Sequence, residues 1–219
     1  MNQIPDELIL KQMELGPLSN FLYFIGDART KEIAVVDPAW DVPYLNAQIK
    51  KHGYSVRSIF LTHGHPDHVN GLDEILETYD VPVYISSHEA PFLKPAHKNI
   101  VEIEDGHILT IGAIEVQCIL TPGHTPGCQS FRYKNIMITG DAIFIDGCGR
   151  CDLPGGDARV MYQTLYNIVM NWPDNTLLFT GHNYGPVPYA SLGEQKQTNP
   201  YLQCASEAEF LSQRMGISL

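Results

Sequence analysis

The stretch LTHGHPDHVNG, residues 61–71, places three histidines and one aspartate within six positions, directly after the apolar run SIF at 58–60. Four ligand-type side chains at a strand end have no packing rationale, so the reading turns to metal binding. Alternate residues of an extended segment share a face, so His63 and His65 can chelate one ion. Asp67 and His68 follow Pro66, where a turn redirects the next two side chains toward a second position. Neutral imidazoles and carboxylates suit zinc, iron and manganese, and the two oxygens of an aspartate can bridge two ions.

Further ligand-type residues occur at other strand ends: His124 in LTPGHTPG (120–127), Asp141 in ITGD (138–141) and His182 in FTGH (179–182). With these, seven candidate ligands are available, too many for one tetrahedral ion but enough for two. His52, His88, His97 and His107 stand outside this pattern and read as ordinary surface or capping groups. Short β-rich runs at 20–26, 32–37, 58–63, 81–86, 107–112, 114–121, 129–133, 135–141 and 176–182 alternate with helical patterns at Val42–His52, Asn70–Tyr79, Asp157–Asn171 and Ala205–Arg214. That order predicts a mixed α/β sandwich rather than a doubly wound parallel sheet. No linker-like segment divides the 219 residues, so residues 1–219 read as a single domain.

The formal charge is −11, from 25 acidic and 14 basic residues without a basic block, which excludes a polyanionic partner such as nucleic acid. No apolar run approaches the roughly 20 residues of a membrane span. The N-terminal residues lack the pattern of an export signal, and the five cysteines are an odd number. Together these features predict a soluble cytoplasmic protein with no disulfide framework.

The ordered set His63-x-His65-x-Asp67-His68, His124, Asp141 and His182 resembles the metallo-β-lactamase-fold superfamily, over a span from about Asn20 to His182. The resemblance implies a four-layer αββα sandwich with a metal site along one edge. TPGHTPGCQSF (121–131), TGDAIFIDGCGR (139–150) and GHNYGP (181–186) look like the corresponding stretches of the glyoxalase II group, thioesterases that hydrolyse acylated glutathione. Antibiotic-hydrolysing members usually carry a cysteine at the position of Asp141. The resemblance to glyoxalase II is expected not to extend to the long helical C-terminal segment of that group.

By that resemblance His63, His65 and His124 hold a first divalent ion, Asp67, His68 and His182 a second, and Asp141 bridges them, with zinc expected and iron or manganese able to replace it. Asp67 is expected to act in catalysis by orienting the metal-activated water. Arg150 and Tyr184 fall where glyoxalase II relatives contact substrate, Arg150 replacing a lysine common there. The expected partner is a small-molecule thioester or ester, and a homo-oligomer is compatible with the pattern. A second resemblance, to persulfide dioxygenases, spans the same motifs together with GDAR at 156–159. It implies a single iron held by His63, His124 and Asp141; Pro66, where those enzymes generally carry alanine, favours the hydrolases.

Two smaller features complete the reading. Cys148-Gly-Arg-Cys151 forms a CxxC, but without a second pair it reads as part of a glycine turn. The phrase SLGEQKQTNPYL (191–202) is similar to the ending of many small hydrolases of this superfamily and is expected to pack back on the metal edge.

Overall fold

The computed structural model describes residues 4–93 and 99–216. Six strands form the first sheet in chain order: β1 (Leu8–Leu15), β2 (Asn20–Asp27), β3 (Glu32–Val36), β4 (Ser55–Phe60), β5 (Val83–Ser86) and β6 (Ile100–Ile103). The first three are antiparallel, and the pairings from β3 to β6 are parallel. The second sheet contains β7 (Ile108–Ile111), β8 (Ile114–Leu120), β9 (Gln129–Tyr133), β10 (Ile136–Gly140), β13 (Leu177–Thr180) and β14 (Ala190–Ser191). Its spatial order is β14-β13-β10-β9-β8-β7, and a small hairpin of β11 (Ile143–Phe144) and β12 (Gly147–Cys148) leaves it beyond β10.

Side-chain alternation explains why the sheets stack. Tyr23, Ile25, Ala34 and Val36 meet Ile136, Ile138, Leu177 and Phe179 in a core between the sheets. The intervening Leu22, Phe24, Ile33 and Val35 face outward and are covered by α1 (Val42–His52) and α3 (Leu72–Thr78) through Val42, Leu45, Ile49, Leu72 and Ile75. On the other side Met137 and Leu178 are covered by α4 (Ala158–Asn167), α5 (Leu192–Thr198) and α6 (Glu207–Met215). β2 is buried along its whole length because helices and sheet cover its two faces. The result is the four-layer αββα sandwich.

Helix starts follow from local chemistry. Asp41 accepts from Tyr44 N at 2.9 Å, Asp157 caps Arg159 N and Val160 N, and Ser191 with Glu194 forms a capping box. The helical pattern at 70–79 forms α3, and a further short helix that the reading did not include, α2 (Pro66–Val69), precedes it, with Asn70 between them accepting from Trp40 N. The pattern at 157–171 ends as α-helix at Asn167 and tightens into a 3-10 turn at Val169–Asn171. β1, β6 and α5 have no counterpart in the sequence reading. β1 and β6 are edge strands with partly exposed alternation, and α5 (LGEQKQT) is too polar to show an apolar stripe. Among the described residues no helix is long and apolar enough to cross a membrane.

Candidate metal centre

The chain stays extended past β4 to His65, which has φ −64° and ψ 143°. Pro66 then occupies the first turn of α2, where its fixed φ suits a helix start, and the turn swings Asp67 and His68 away from the face that His63 and His65 share. His124 comes from the loop after β8, Asp141 directly follows β10, and His182 follows β13. The two sheets meet here: Phe21 N donates to Gly181 O at 2.8 Å and Asn183 N to Ser19 O at 2.8 Å. All seven candidate ligands thus reach one edge of the sandwich.

Three groups of ligand atoms, each within 4.8 Å of one another, form there: His63, His65 and His124; Asp67, His68 and His182; and His63, His68 and Asp141. His65 Nδ1 lies 3.1 Å from His63 Nε2 and 2.8 Å from His124 Nε2, and His68 Nε2 lies 3.3 Å from His182 Nε2. Asp141 stands between the two sets, with Oδ2 3.4 Å from the Nε2 atoms of both His124 and His182 and Oδ1 3.5 Å from His68 Nε2.

Tautomers provide a test of whether a cation fits. His124 Nδ1 donates to Arg150 O at 2.7 Å, His182 Nδ1 to Leu18 O at 2.9 Å and His68 Nδ1 to Asp37 Oδ2 at 2.9 Å. Thr62 Oγ1 gives its own proton to Asp37 and is left to accept from His63 Nδ1 at 3.0 Å. With Nδ1 so engaged, four rings turn their Nε2 atoms toward a common space, where each would offer a lone pair to a cation once unprotonated. Such lone pairs repel unless a proton or a metal ion lies among them. The buried Asp141 Oδ1, with no hydrogen-bond partner, adds an uncompensated acceptor. This donor set fits divalent cations, and outer carbonyls and carboxylates orient its rings.

The titration of the same groups carries that signature. Burial opposes charge on His68, but Asp141, Asp37 and Asp67 outweigh it and raise its pKa to about 9. Burial and the neighbouring His68 push His63 well below the usual histidine range, and burial with His124 beside it brings His65 down to about 4. Burial would raise Asp141, yet His68 and His182 hold it well below the ordinary carboxylate range. The cluster therefore keeps a carboxylate and holds positive charge beside it.

A surrounding layer positions the ligands. Glu89, 1 % exposed, accepts from Gly64 N at 2.9 Å and Gly127 N at 3.0 Å, joining the loop of His63 and His65 to the loop of His124. Asn20 donates to Asp67 Oδ2 at 3.0 Å and accepts from Trp40 Nε1 at 2.9 Å. Two glycines allow close approach: a Cβ on Gly181 would lie 2.2 Å from Asp141 Oδ1, and one on Gly149 would lie 2.0 Å from Asp141 O.

A cavity of about 510 Å³ opens on the cluster. Tyr184 lines it and stacks on the His182 ring at 4.6 Å and 9°, while Arg150 lines it with its guanidinium paired to Asp152 through two 2.8 Å hydrogen bonds. The sequence reading missed two more lining residues, Tyr201 and Arg214. Arg214 Nη1 donates to Cys148 O at 3.3 Å and Tyr201 Oη at 3.4 Å, and its buried Nε has no partner. No local spacing announces an arginine on a C-terminal helix; only docking of α6 brings it here. The tail also packs back on this edge: Asn199 Nδ2 donates to Phe144 O at 3.1 Å and Gly147 O at 2.9 Å.

The CxxC stays out of this chemistry. Cys148, Cys151 and Cys204 are buried in the core under α4 to α6, burial pushes Cys148 and Cys151 up to about 12, and none joins a ligand group. His52, His88 and His107 join none either, and His97 lies outside the described residues.

An αββα sandwich that gathers five histidines and two aspartates at one edge defines the class of metal-site proteins built on this scaffold. The chain belongs to the metallo-beta-lactamase superfamily, whose model matches residues 15–182. It is 30% identical to a probable polyketide biosynthesis zinc-dependent hydrolase of Bacillus subtilis, over 90% of this chain and 87% of the relative. It is 29% identical to the mitochondrial persulfide dioxygenase of Homo sapiens, over 93% of this chain and 79% of that one. The crystal structure of TTHA1623 in a di-iron-bound form superposes with a TM-score of 0.76 at 27% identity, covering 88% of this chain and 100% of that chain.

Proposed function

We propose that this protein is a binuclear metal-dependent hydrolase of small-molecule thioesters, such as acylated glutathione, or of esters, acting as one domain. The observation that carries the reading is the second ligand group, Asp67, His68 and His182, beside the first, His63, His65 and His124, with Asp141 between them. A single ion held by His63, His124 and Asp141 would leave His65, Asp67, His68 and His182 outside its coordination. The hydrolase relative's zinc dependence and the di-iron form of TTHA1623 support divalent ions of the zinc and iron type.

Divalent ions held by His63, His65 and His124 and by Asp67, His68 and His182, with Asp141 between, would supply the acidity that readies a water and the polarisation of a carbonyl oxygen. The remaining work falls to the chain. Asp67, 20 % exposed and held by Asn20, faces the cavity and is placed to accept a hydrogen bond from the attacking water and aim it. Tyr184 and Phe144 wall the cavity beside His182, and Arg150 and Arg214 attract the polar end of the substrate. The acidic surface disfavours nucleic acid.

The alternative, a mononuclear iron persulfide dioxygenase, draws on the human relative and on His63, His124 and Asp141. Elemental analysis of protein purified without added metal, with parallel assays, separates the two. Two ions per chain with hydrolysis of S-acyl glutathione is expected. One iron per chain, with oxygen uptake on glutathione persulfide and no hydrolysis, would overturn the hydrolase.

A further inference from the structure

A second cavity, of about 480 Å³, lies on the other side of His65 from the metal-site cavity; His65 and Leu153 line both. Its size is that of a small-molecule subsite. The wall is made largely of Pro66, Val69, Phe92, Leu93 and Pro126. Among its polar residues Glu89 has its two oxygens taken by Gly64 N and Gly127 N, and Asn70, Asp73 and Thr125 complete the polar lining. Phe92 is 53 % exposed at this chamber, an aromatic surface left facing solvent. The neighbouring cavity is more polar, with Arg150, Arg214, Tyr184 and Tyr201 around the ligand cluster.

We propose that this chamber is the acyl subsite, so that the substrate is a thioester with an apolar acyl chain of several carbons. The assignment rests on the hydrolase reading above. The chain lies against Val69, Phe92 and Leu93, the carbonyl sits at the His65 boundary, and the thiol carrier occupies the cavity of Arg214 and Tyr184. A charged acyl group entering the chamber loses hydration against a mostly apolar wall, which selects against it, whereas a hydroxyl could reach only the few polar groups there, such as Thr125. In the reaction the C–S bond breaks and a C–O bond forms from water. One water hydrogen passes to the thiol, and the other leaves as the carboxylic acid ionises.

The test uses the metal-loaded protein with N-acetylcysteamine thioesters of two- to ten-carbon linear acids, and calorimetric titration of the metal-free protein with the matching linear amides. Burial of each methylene is worth about a fourfold gain. Both kcat/KM for the thioesters and affinity for the amides are expected to rise by about that factor per carbon until the chamber fills. Phe92→Ala, which removes wall without filling space, is expected to reduce the octanoyl-to-acetyl ratio several-fold, and Val69→Phe, which fills the chamber, is expected to lower it further. Hydrolysis that is flat with chain length, together with amide affinities that do not grow, overturns the chamber assignment and leaves the hydrolase reading standing. Absence of hydrolysis at every length overturns the hydrolase reading, and the acyl role falls with it.

Discussion

At the scale of single residues, the centre depends on groups that are exposed to one another because something else is missing. Gly181 is the clearest case. A side chain there has no space, since its first carbon would meet Asp141 Oδ1 at 2.2 Å. Gly181→Ala is therefore expected to displace the carboxylate that joins the two ligand sets and to weaken metal binding at least tenfold. Chelator competition, with circular dichroism to establish that the fold persists, measures this. The candidate ligands were legible in the sequence, because histidine and aspartate at fixed spacing after a strand have few other uses. Asp37 and Glu89 were not legible. A buried carboxylate that serves a histidine 31 positions away, or two glycine amides 25 and 38 positions away, leaves no local pattern.

At the scale of elements, the ligands ride on loops that other elements hold in place. Glu89 clamps two of these loops, and its removal leaves two buried amide donors without a partner. Charged hydrogen bonds are each worth about 1.5–3 kcal/mol, so Glu89→Ala is expected to destabilise the protein by about 3 kcal/mol or more, read as a lower denaturant midpoint at unchanged slope. Asn199 plays the equivalent part for the β11–β12 hairpin, whose turn carries Phe144 and Ile145 into the cavity wall. Asn199→Ala is expected to raise amide hydrogen exchange across residues 143–148 while exchange in β2 and β10 stays slow. α5, which Asn199 caps at its C-terminal end, shows how an element escapes a search for apolar periodicity. It buries Leu192 and Gln195 only, and its strongest signal is the Ser191–Glu194 capping box.

At the scale of the whole molecule, the centre couples to global stability through protons. His68 has its pKa raised to about 9 by Asp141, Asp37 and Asp67 in spite of burial. A raised folded-state pKa contributes stability that is complete below the unfolded value of 6.5 and is lost as pH rises through about 9. His182 is raised as well and acts in the same sense, while His63 and His65 are depressed, so between pH 6.5 and 9 they are neutral in both states and do not mask the trend. Metal-free protein is thus expected to lose on the order of 3 kcal/mol across that window, at about 1.4 kcal/mol for each tenfold change. Thermal unfolding reads this as roughly 6–12 °C in Tm for a chain of this size. Metal-loaded protein, in which a cation replaces the His68 proton, is expected to show no such fall. An equal loss in both forms would remove the proton as the group that stands in for the metal.

The sequence by itself determined the chemistry and the layering. Ligand residue types at strand ends point to metal, and runs such as NFLYFIGD and EIAVV, alternating between two cores, require a sheet covered on both faces. Tertiary structure alone decided which nitrogens face inward, because that depends on Leu18 O, Arg150 O and Asp37 from remote segments. It also decided what surrounds the cluster: Arg214 and Tyr201 from the tail on one side, and the apolar chamber of Val69, Phe92 and Leu93 on the other. The physical reason is one of range. Backbone periodicity and ligand spacing are short-range properties of a chain, whereas hydrogen-bond partners and cavity walls exist only after distant segments have packed.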